Sequence, residues 1–114
     1  MTSELAKELN KGGFTVRDGN LIRPTSGYAV SIKGWETRVP RALLSLPLFT
    51  AIVKSYQGLT FGAWIDDGIV YFDRSFIYAD RQAAIDVGHA NGQKAIYDFA
   101  AGESIYLEEV KEVN

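Results

Sequence analysis

Residues that favour β-strands are concentrated in the second half of the chain, in short runs separated by turn residues. The runs 59–66 and 69–78 are rich in β-branched and aromatic residues and flank Asp67-Gly68. Asp-Gly between two such runs predicts a β-hairpin, because both central residues of its turn take positive φ. The run 69–78 places apolar side chains on both of its faces, which predicts a central strand.

A helix and a second hairpin follow the first one. Asp80 is a natural N-cap for the helix, and Asn91-Gly92 ends it. Gly88 is costly within a helix, so we expect it to allow a close approach to the sheet. The runs 93–99 and 104–110 predict the last two strands. Residues 59–110 therefore predict a hairpin–helix–hairpin unit.

The first half of the chain predicts a helix followed by short strands. Residues 1–12 form the helical segment, which Gly12-Gly13 ends. A second Asp-Gly turn predicts another hairpin. Lys33-Gly34 predicts a turn between two further strands. The predicted strands of this half are 14–17, 20–23, 28–32 and 35–39.

The segment 46–56 predicts a helix that is apolar on most sides. Ser45 is its expected cap, and Pro47 is tolerated only in a first turn, so a separate short turn is expected at 40–45. A helix of this kind is buried in a core or lies at a protein interface. The predicted interface residues are Trp35, Leu46, Leu48, Phe49, Ile52 and Tyr56.

These elements predict a single α+β domain over residues 1–114. We expect an antiparallel sheet of about six or seven strands packed by two or three helices. A chain of 114 residues is long enough for one hydrophobic core and too short for two domains.

Composition and charge narrow the function classes. The formal charge is −2, and the twelve Lys and Arg residues are scattered singly, which counts against nucleic-acid binding. The longest apolar stretch, 42–53, is shorter than the roughly 20 residues of a membrane span. The N-terminus has acids where a signal peptide has a positive start. We therefore expect a soluble protein of the cytoplasm.

The residues available for chemistry are few. The chain has no cysteine and one histidine, His89. It therefore has few of the residues that a nucleophilic triad requires. Asp86 shares a helix face with His89, but a histidine near a helix C-terminus commonly interacts with the terminal carbonyls. Asp73 and Asp98 form the acidic pair that a metal site would use if they shared one face. The sequence predicts no catalytic residue, no metal and no cofactor.

Aromatic residues are more abundant candidates for a functional role. The chain has two Trp, six Tyr and six Phe. Most of them are expected in the core. The alternative is that Trp35, Trp64 or Tyr71 lies on an exposed sheet face, because Trp and Tyr are the residues that interfaces favour.

Three stretches of the second half resemble small accessory proteins of bacteriophages and prophages. They are Phe61-Gly-Ala-Trp-Ile-Asp-Asp-Gly-Ile-Val-Tyr-Phe-Asp73, Ala79-Asp-Arg-Gln-Ala-Ala-Ile85 and Asn91-Gly-Gln-Lys-Ala-Ile-Tyr-Asp98. The resemblance implies a product of a phage or mobile element that acts on a host component. It implies no activity and no functional residue.

The sequence thus predicts a non-enzymatic protein that acts through protein–protein contact or self-association. Its expected partner is a host protein, a phage protein or a second copy in a homodimer. The alternative is a small acid-dependent enzyme or divalent-metal-binding protein that uses Asp73, Asp98 and His89.

Overall fold

A computed structural model describes residues 2–109 of the chain. This part forms three α-helices, two short 3-10 helices and seven strands. The helices are α1 (Thr2–Asn10), α2 (Leu46–Ser55) and α3 (Arg81–Ala90), and the 3-10 helices are Arg41–Leu43 and Leu107–Glu109. The strands are β1 (Gly13–Arg17), β2 (Asn20–Ile22), β3 (Tyr28–Pro40), β4 (Phe61–Asp66), β5 (Ile69–Tyr78), β6 (Ala95–Asp98) and β7 (Glu103–Tyr106).

The strands form one antiparallel sheet in the order β2-β1-β4-β5-β3-β6-β7. Strand β5 has the middle position, as its apolar residues on both faces predicted. The α+β class, with an antiparallel sheet of six or seven strands and two or three helices, is confirmed. The predicted order hairpin, helix, hairpin is also confirmed, while Val110 lies outside the described residues.

Both Asp-Gly turns have the geometry that the sequence predicted. Asp18 and Gly19 have φ of 53° and 76°, and Asp67 and Gly68 have φ of 49° and 75°. Two successive positive values match the right-handed twist of the flanking strands and fix the hairpin register. The strand pairs β1–β2 and β4–β5 follow directly from these turns.

The predicted turn at Lys33-Gly34 is wrong. Tyr28–Pro40 is one strand of 13 residues, where the sequence indicated two shorter strands. Gly34 does take a positive φ, 88°, but its neighbours remain extended and the chain does not reverse. The type I′ turn of the Asp-Gly hairpins needs positive φ at both central residues, and Lys33 has no positive φ.

Contacts group the described chain into two units. The first unit contains the residues up to Arg23 together with Glu36–Arg74. The second unit contains Pro24–Trp35 together with the residues from Ser75 onward. Strands β3 and β5 contribute residues to both units.

The core of the first unit lies between two helices and one face of its strands. Leu5 and Leu9 of α1 and Phe49 and Ile52 of α2 are buried in this core. The strand residues that they contact are Phe14, Val16, Phe61, Ala63, Val70 and Phe72. Aromatic rings dominate the packing, with Phe14 edge-on to both Phe49 and Phe61.

The core of the second unit is smaller and is built around α3. Ala84 and Ile85 of this helix pack with Val30, Ile96 and Leu107. Gly88 faces the same cluster, and a Cβ there would lie 2.6 Å from Leu107 Cδ1 and 3.0 Å from Ile96 Cγ2. The predicted close approach at Gly88 is therefore confirmed.

The N-caps of α2 and α3 are the residues that the sequence predicted. Ser45 Oγ accepts a hydrogen bond from Leu48 N at 3.3 Å, and Pro47 lies in the first turn of α2. Asp80 Oδ2 accepts a hydrogen bond from Ala83 N at 2.8 Å and begins α3. No helix among residues 2–109 is long and apolar enough to cross a membrane.

Candidate binding surface

Helix α2 divides the predicted interface residues into two groups. Phe49 and Ile52 are buried in the core of the first unit, together with Tyr56, which follows the helix and is 3% exposed. These three side chains stabilise the fold and have little surface left for a partner. Leu46 and Leu48 of the same helix are 63% and 39% exposed.

The exposed side of α2 continues into the preceding 3-10 helix. Leu43, which the sequence analysis did not single out, is 69% exposed. Leu43, Leu46 and Leu48 are called the leucine patch below. None of the residues in the 3-10 helix Arg41–Leu43 is buried, so this turn presents its apolar side chain to solvent. Trp35, the remaining predicted interface residue, belongs to the second unit and is 41% exposed.

A second candidate surface lies on the sheet of the first unit. Side chains alternate between the two faces of a strand, and Phe61, Ala63, Val70 and Phe72 point into the core. Trp64 of β4 and Tyr71 of β5 therefore point to the opposite face. They are directly paired in the register of the two strands.

Trp64 and Tyr71 form a stack. Their ring centroids are 4.2 Å apart and their planes differ by 10°. Arg38 of β3 places its guanidinium carbon 5.4 Å from the centre of the Tyr71 ring. Because β5 lies between β4 and β3, the indole and the guanidinium approach Tyr71 from opposite sides. Trp64, Tyr71 and Arg38 are called the aromatic platform below.

Two carboxylates hold the ends of the aromatic platform. Asp73 Oδ2 accepts a long hydrogen bond, 3.4 Å, from the indole Nε1 of Trp64. Glu36 forms an ion pair with Arg38. The hydrogen bond and the charge of Glu36 raise the pKa of Arg38 above its ordinary value, so the guanidinium stays charged. These contacts limit the rotamers of Arg38 and Trp64 before any partner binds.

Trp64 remains accessible although it is stacked. Its side chain is 44% exposed, whereas Tyr71 is partly buried between its two neighbours. Of the three residues named in the alternative interpretation, Trp35 and Trp64 are exposed and Tyr71 is only partly exposed. Sequence reasoning did not find Arg38 and Glu36, because the contact of Arg38 with Tyr71 depends on the position of β3 beside β5 in the sheet.

The residues of the predicted acidic site have separate local roles. Asp73 holds the indole of Trp64 in the first unit. Asp98 Oδ1 accepts hydrogen bonds from Ala100 N and Ala101 N, at 3.0 and 3.2 Å, and so shapes the turn between β6 and β7. Among residues 2–109, no group of three or more acidic or histidine side chains is placed to hold a metal ion.

His89 lines a groove in the second unit. The groove has a volume of about 410 Å³, and its lining residues are His89, Gly92, Gln93, Lys94, Leu107 and Glu108. Lys94 and Glu108 are exposed side chains of opposite charge, while Leu107 is a core residue. These features define no reaction and no particular ligand.

Comparisons with models of known protein families, with curated proteins and with solved structures found no match to this chain. The resemblance to phage and prophage accessory proteins, which the second half of the sequence indicated, therefore stays a prediction. Two exposed surfaces are the candidates for binding, the aromatic platform and the leucine patch.

Proposed function

We propose that this protein is a non-enzymatic binding protein that contacts another protein through the aromatic platform. The observation that supports this proposal is the stack of Trp64 on Tyr71, with Arg38 on the far side of the tyrosine ring. Trp, Tyr and Arg are the residues that most often supply the binding energy of protein interfaces.

The rigidity of the aromatic platform also supports the proposal. Trp64 is hydrogen-bonded to Asp73, and Arg38 is paired with Glu36. A side chain that is already ordered loses little conformational entropy when a partner binds, a loss that otherwise costs about 0.5–1.5 kcal/mol for each side chain. An exposed but ordered tryptophan is therefore well suited to contact a partner.

The charges around the platform favour a protein over a nucleic acid. Glu36 and Asp73 contact the platform itself. Asp66 lies two residues beyond Trp64 on the same strand face. Carboxylates at this surface disfavour the approach of a phosphate backbone, although the rings alone would suit base stacking. A protein surface imposes no such repulsion.

The alternative function, a small acid-dependent enzyme or divalent-metal-binding protein, has less support. It requires that Asp73, Asp98 and His89 act together. Asp73 and Asp98 instead have separate hydrogen-bonded roles, in the stack and in the β6–β7 turn. That the protein is not an enzyme stays a prediction.

The biological setting is proposed from the sequence alone. The resemblance of the second half to phage and prophage accessory proteins supports a host or phage protein as the partner. The bacterial cytoplasm is the location that such a partner implies.

The proposal is tested by comparing capture of proteins by three immobilised forms of this chain. Wild type, Trp64→Ala and Tyr106→Ala are exposed to a bacterial lysate, and the retained proteins are quantified. Tyr106 is an exposed aromatic residue of the second unit and controls for non-specific adhesion. Any candidate is then purified and its Kd is measured directly with each form.

We expect a partner that wild type and Tyr106→Ala bind equally and that Trp64→Ala binds at least about tenfold more weakly. A tenfold loss corresponds to about 1.4 kcal/mol, a value typical of a residue that is important for binding. Equal binding by all three forms would contradict the proposed role of the aromatic platform.

The leucine patch supports self-association as a second candidate. Leu43 and Leu46 are the most exposed of the large apolar side chains in the described chain. Light scattering at several concentrations tests this candidate. A mass above 12.6 kDa that returns to that value in Leu48→Asp supports a homodimer through the patch. A concentration-independent mass of 12.6 kDa contradicts it.

A further inference from the structure

The aromatic platform is closed at one end and open at the other. Both faces of the Tyr71 ring are occupied, by Trp64 and by Arg38. One face of the Trp64 indole is occupied by Tyr71. The other face points along the sheet towards β1, where the residue directly paired with Trp64 is Gly13.

Gly13 has no side chain that could continue the stack. Trp64 is 44% exposed beside this glycine. Thr15, two residues further along the same face of β1, is the next side chain. The row Gly13, Trp64, Tyr71 thus leaves a position above Gly13 in which a flat group would stack on the indole.

The charge nearest to this open position on β4 is negative. Asp66 is exposed, two residues from Trp64 on the same face of β4. Asp73 accepts the indole N–H and so increases the electron density of the ring. Lys11, the nearest basic residue along the chain from Gly13, lies 3.9 Å from a carboxylate oxygen of Glu8. Arg17, on the same face of β1, is about 13 Å further along the strand.

The closed end of the platform shows which group fits such a position. There the guanidinium carbon of Arg38 lies over the Tyr71 ring, 5.4 Å from its centre, and the guanidinium pairs with Glu36, two residues away on the same strand. At the open end, Asp66 is a carboxylate two residues from Trp64 on the same face of β4. Tryptophan is the ring that binds cations best, and a planar guanidinium both stacks on a ring and pairs with a carboxylate.

We propose that the open end of the aromatic platform binds an arginine side chain of the partner protein. The guanidinium stacks on the outer face of Trp64 and donates hydrogen bonds to Asp66. This inference rests on the proposed function and names the group by which the partner is recognised. A neutral side chain would leave Asp66 without a counter-charge, and a lysine would lack the flat face that stacks.

The experiment follows the indole N–H signals of the two tryptophans by NMR in the intact chain. The signals are assigned with Trp35→Phe and Trp64→Phe. The protein is titrated with N-acetyl-arginine amide, with N-acetyl-lysine amide and with N-acetyl-citrulline amide, which has the shape of arginine but no charge. The Trp35 signal reports on non-specific effects within the same sample.

We expect arginine amide to shift the Trp64 signal in a saturable way and to leave the Trp35 signal unchanged. Citrulline amide should bind at least threefold more weakly, and lysine amide should also be weaker than arginine amide. Asp66→Asn should reduce the affinity for arginine amide to nearly that of citrulline amide. Because Asp66 is exposed, this variant should remain folded, which the dispersion of its amide signals verifies.

Two results overturn the inference, and neither requires a variant to fold. One is the absence of a saturable Trp64 shift with arginine amide. The other is an equal affinity for citrulline amide. If the inference fails in this way while Trp64→Ala still loses its protein partner, the proposed function stands and the platform recognises another group. If arginine amide binds but Trp64→Ala keeps its partner, the proposed function fails instead.

Discussion

Gly13 determines how closely strands β1 and β4 approach. A Cβ at this position would lie 2.5 Å from the carbonyl oxygen of Ala63 and 3.3 Å from the Cα of Trp64. Both atoms belong to backbone that is held in the sheet, so they cannot move aside as the end of a flexible side chain would. Glycine at position 13 therefore serves the sheet as well as the open end of the aromatic platform.

Gly13→Ala should lower the free energy of unfolding by about 1–3 kcal/mol, as overpacking in a well-packed region does. Gly62→Ala is the matched control, because its Cβ would lie 3.1 Å from the carbonyl oxygen of Phe14. That milder contact is opposed by the gain of about 0.5–1 kcal/mol from replacing glycine in a strand. Urea denaturation should show the larger loss for Gly13→Ala, and equal losses would contradict the packing described.

Tyr56 links stability to pH. Its hydroxyl lies 3.3 Å from Thr37 Oγ1 and 3.3 Å from the carbonyl oxygen of Phe72. Burial raises the pKa of Tyr56 above the ordinary value of 10.0, and the hydrogen bond with Thr37 partly opposes this shift. The folded state thus holds the phenolic proton more tightly than the unfolded state. The resulting stability is complete below about pH 10 and is lost as the pH rises further.

Tyr56→Phe tests this linkage. Near pH 8 the variant should be about 1 kcal/mol less stable than wild type, the usual contribution of a buried hydrogen bond. Between pH 8 and pH 11 that difference should shrink, since only the wild type loses the stability that depends on the Tyr56 proton. Denaturant midpoints across the range measure it, with Tyr106→Phe as the exposed control. A difference that stays constant with pH would contradict the assigned cause.

At the scale of elements, α2 has one face for the core and one for solvent. Phe49 and Ile52 are buried, while Leu46 and Leu48 are not. The apolar residues around most of the helix predicted burial on several sides. In the structure they instead serve two purposes, because a helix on one face of a sheet has only one side to bury.

Phe49→Ala should therefore lower the free energy of unfolding by about 3–5 kcal/mol, the range for a buried phenylalanine. Leu46→Ala should change it by less than about 0.5 kcal/mol, as surface substitutions do. Thermal or urea unfolding of the two variants measures the contrast. Comparable losses would mean that the leucine patch is part of the core and is not available to a second copy.

The elements that sequence predicted well have local causes. Each Asp-Gly turn needs only its own two residues to set the backbone, and the caps Ser45 and Asp80 act within one helical turn. Strand β3 has no such local cause. Its other neighbour past the short pairing with β6 is β5, a strand distant in sequence that a short window does not contain.

The candidate site was predictable from sequence where its contacts are local. Trp64 and Tyr71 were recognisable as candidates because they flank a predicted hairpin turn. Their pairing follows from the register of that hairpin. Arg38 joins the stack through β3, a strand distant in sequence, and its contact with Tyr71 depends on the order of the whole sheet.

At the scale of the whole molecule, charge predicts weak interaction with nucleic acids. The net charge is −2, and the basic residues are scattered. Without a basic stripe, few phosphate contacts form and few counterions are released. The protein should therefore pass through a single-stranded DNA column at about 50 mM salt without retention. Retention that weakens steeply with salt would instead support nucleic-acid binding through the aromatic rings.

The positions of the two tryptophans give each unit its own fluorescent reporter. Trp64 lies in the first unit and Trp35 in the second. Trp35→Phe and Trp64→Phe would therefore report the unfolding of one unit at a time. Because β3 and β5 supply residues to both units, we expect the two fluorescence transitions to coincide, as in two-state unfolding. Separate midpoints would show that a strand can lose its structure in one half while the other half stays folded.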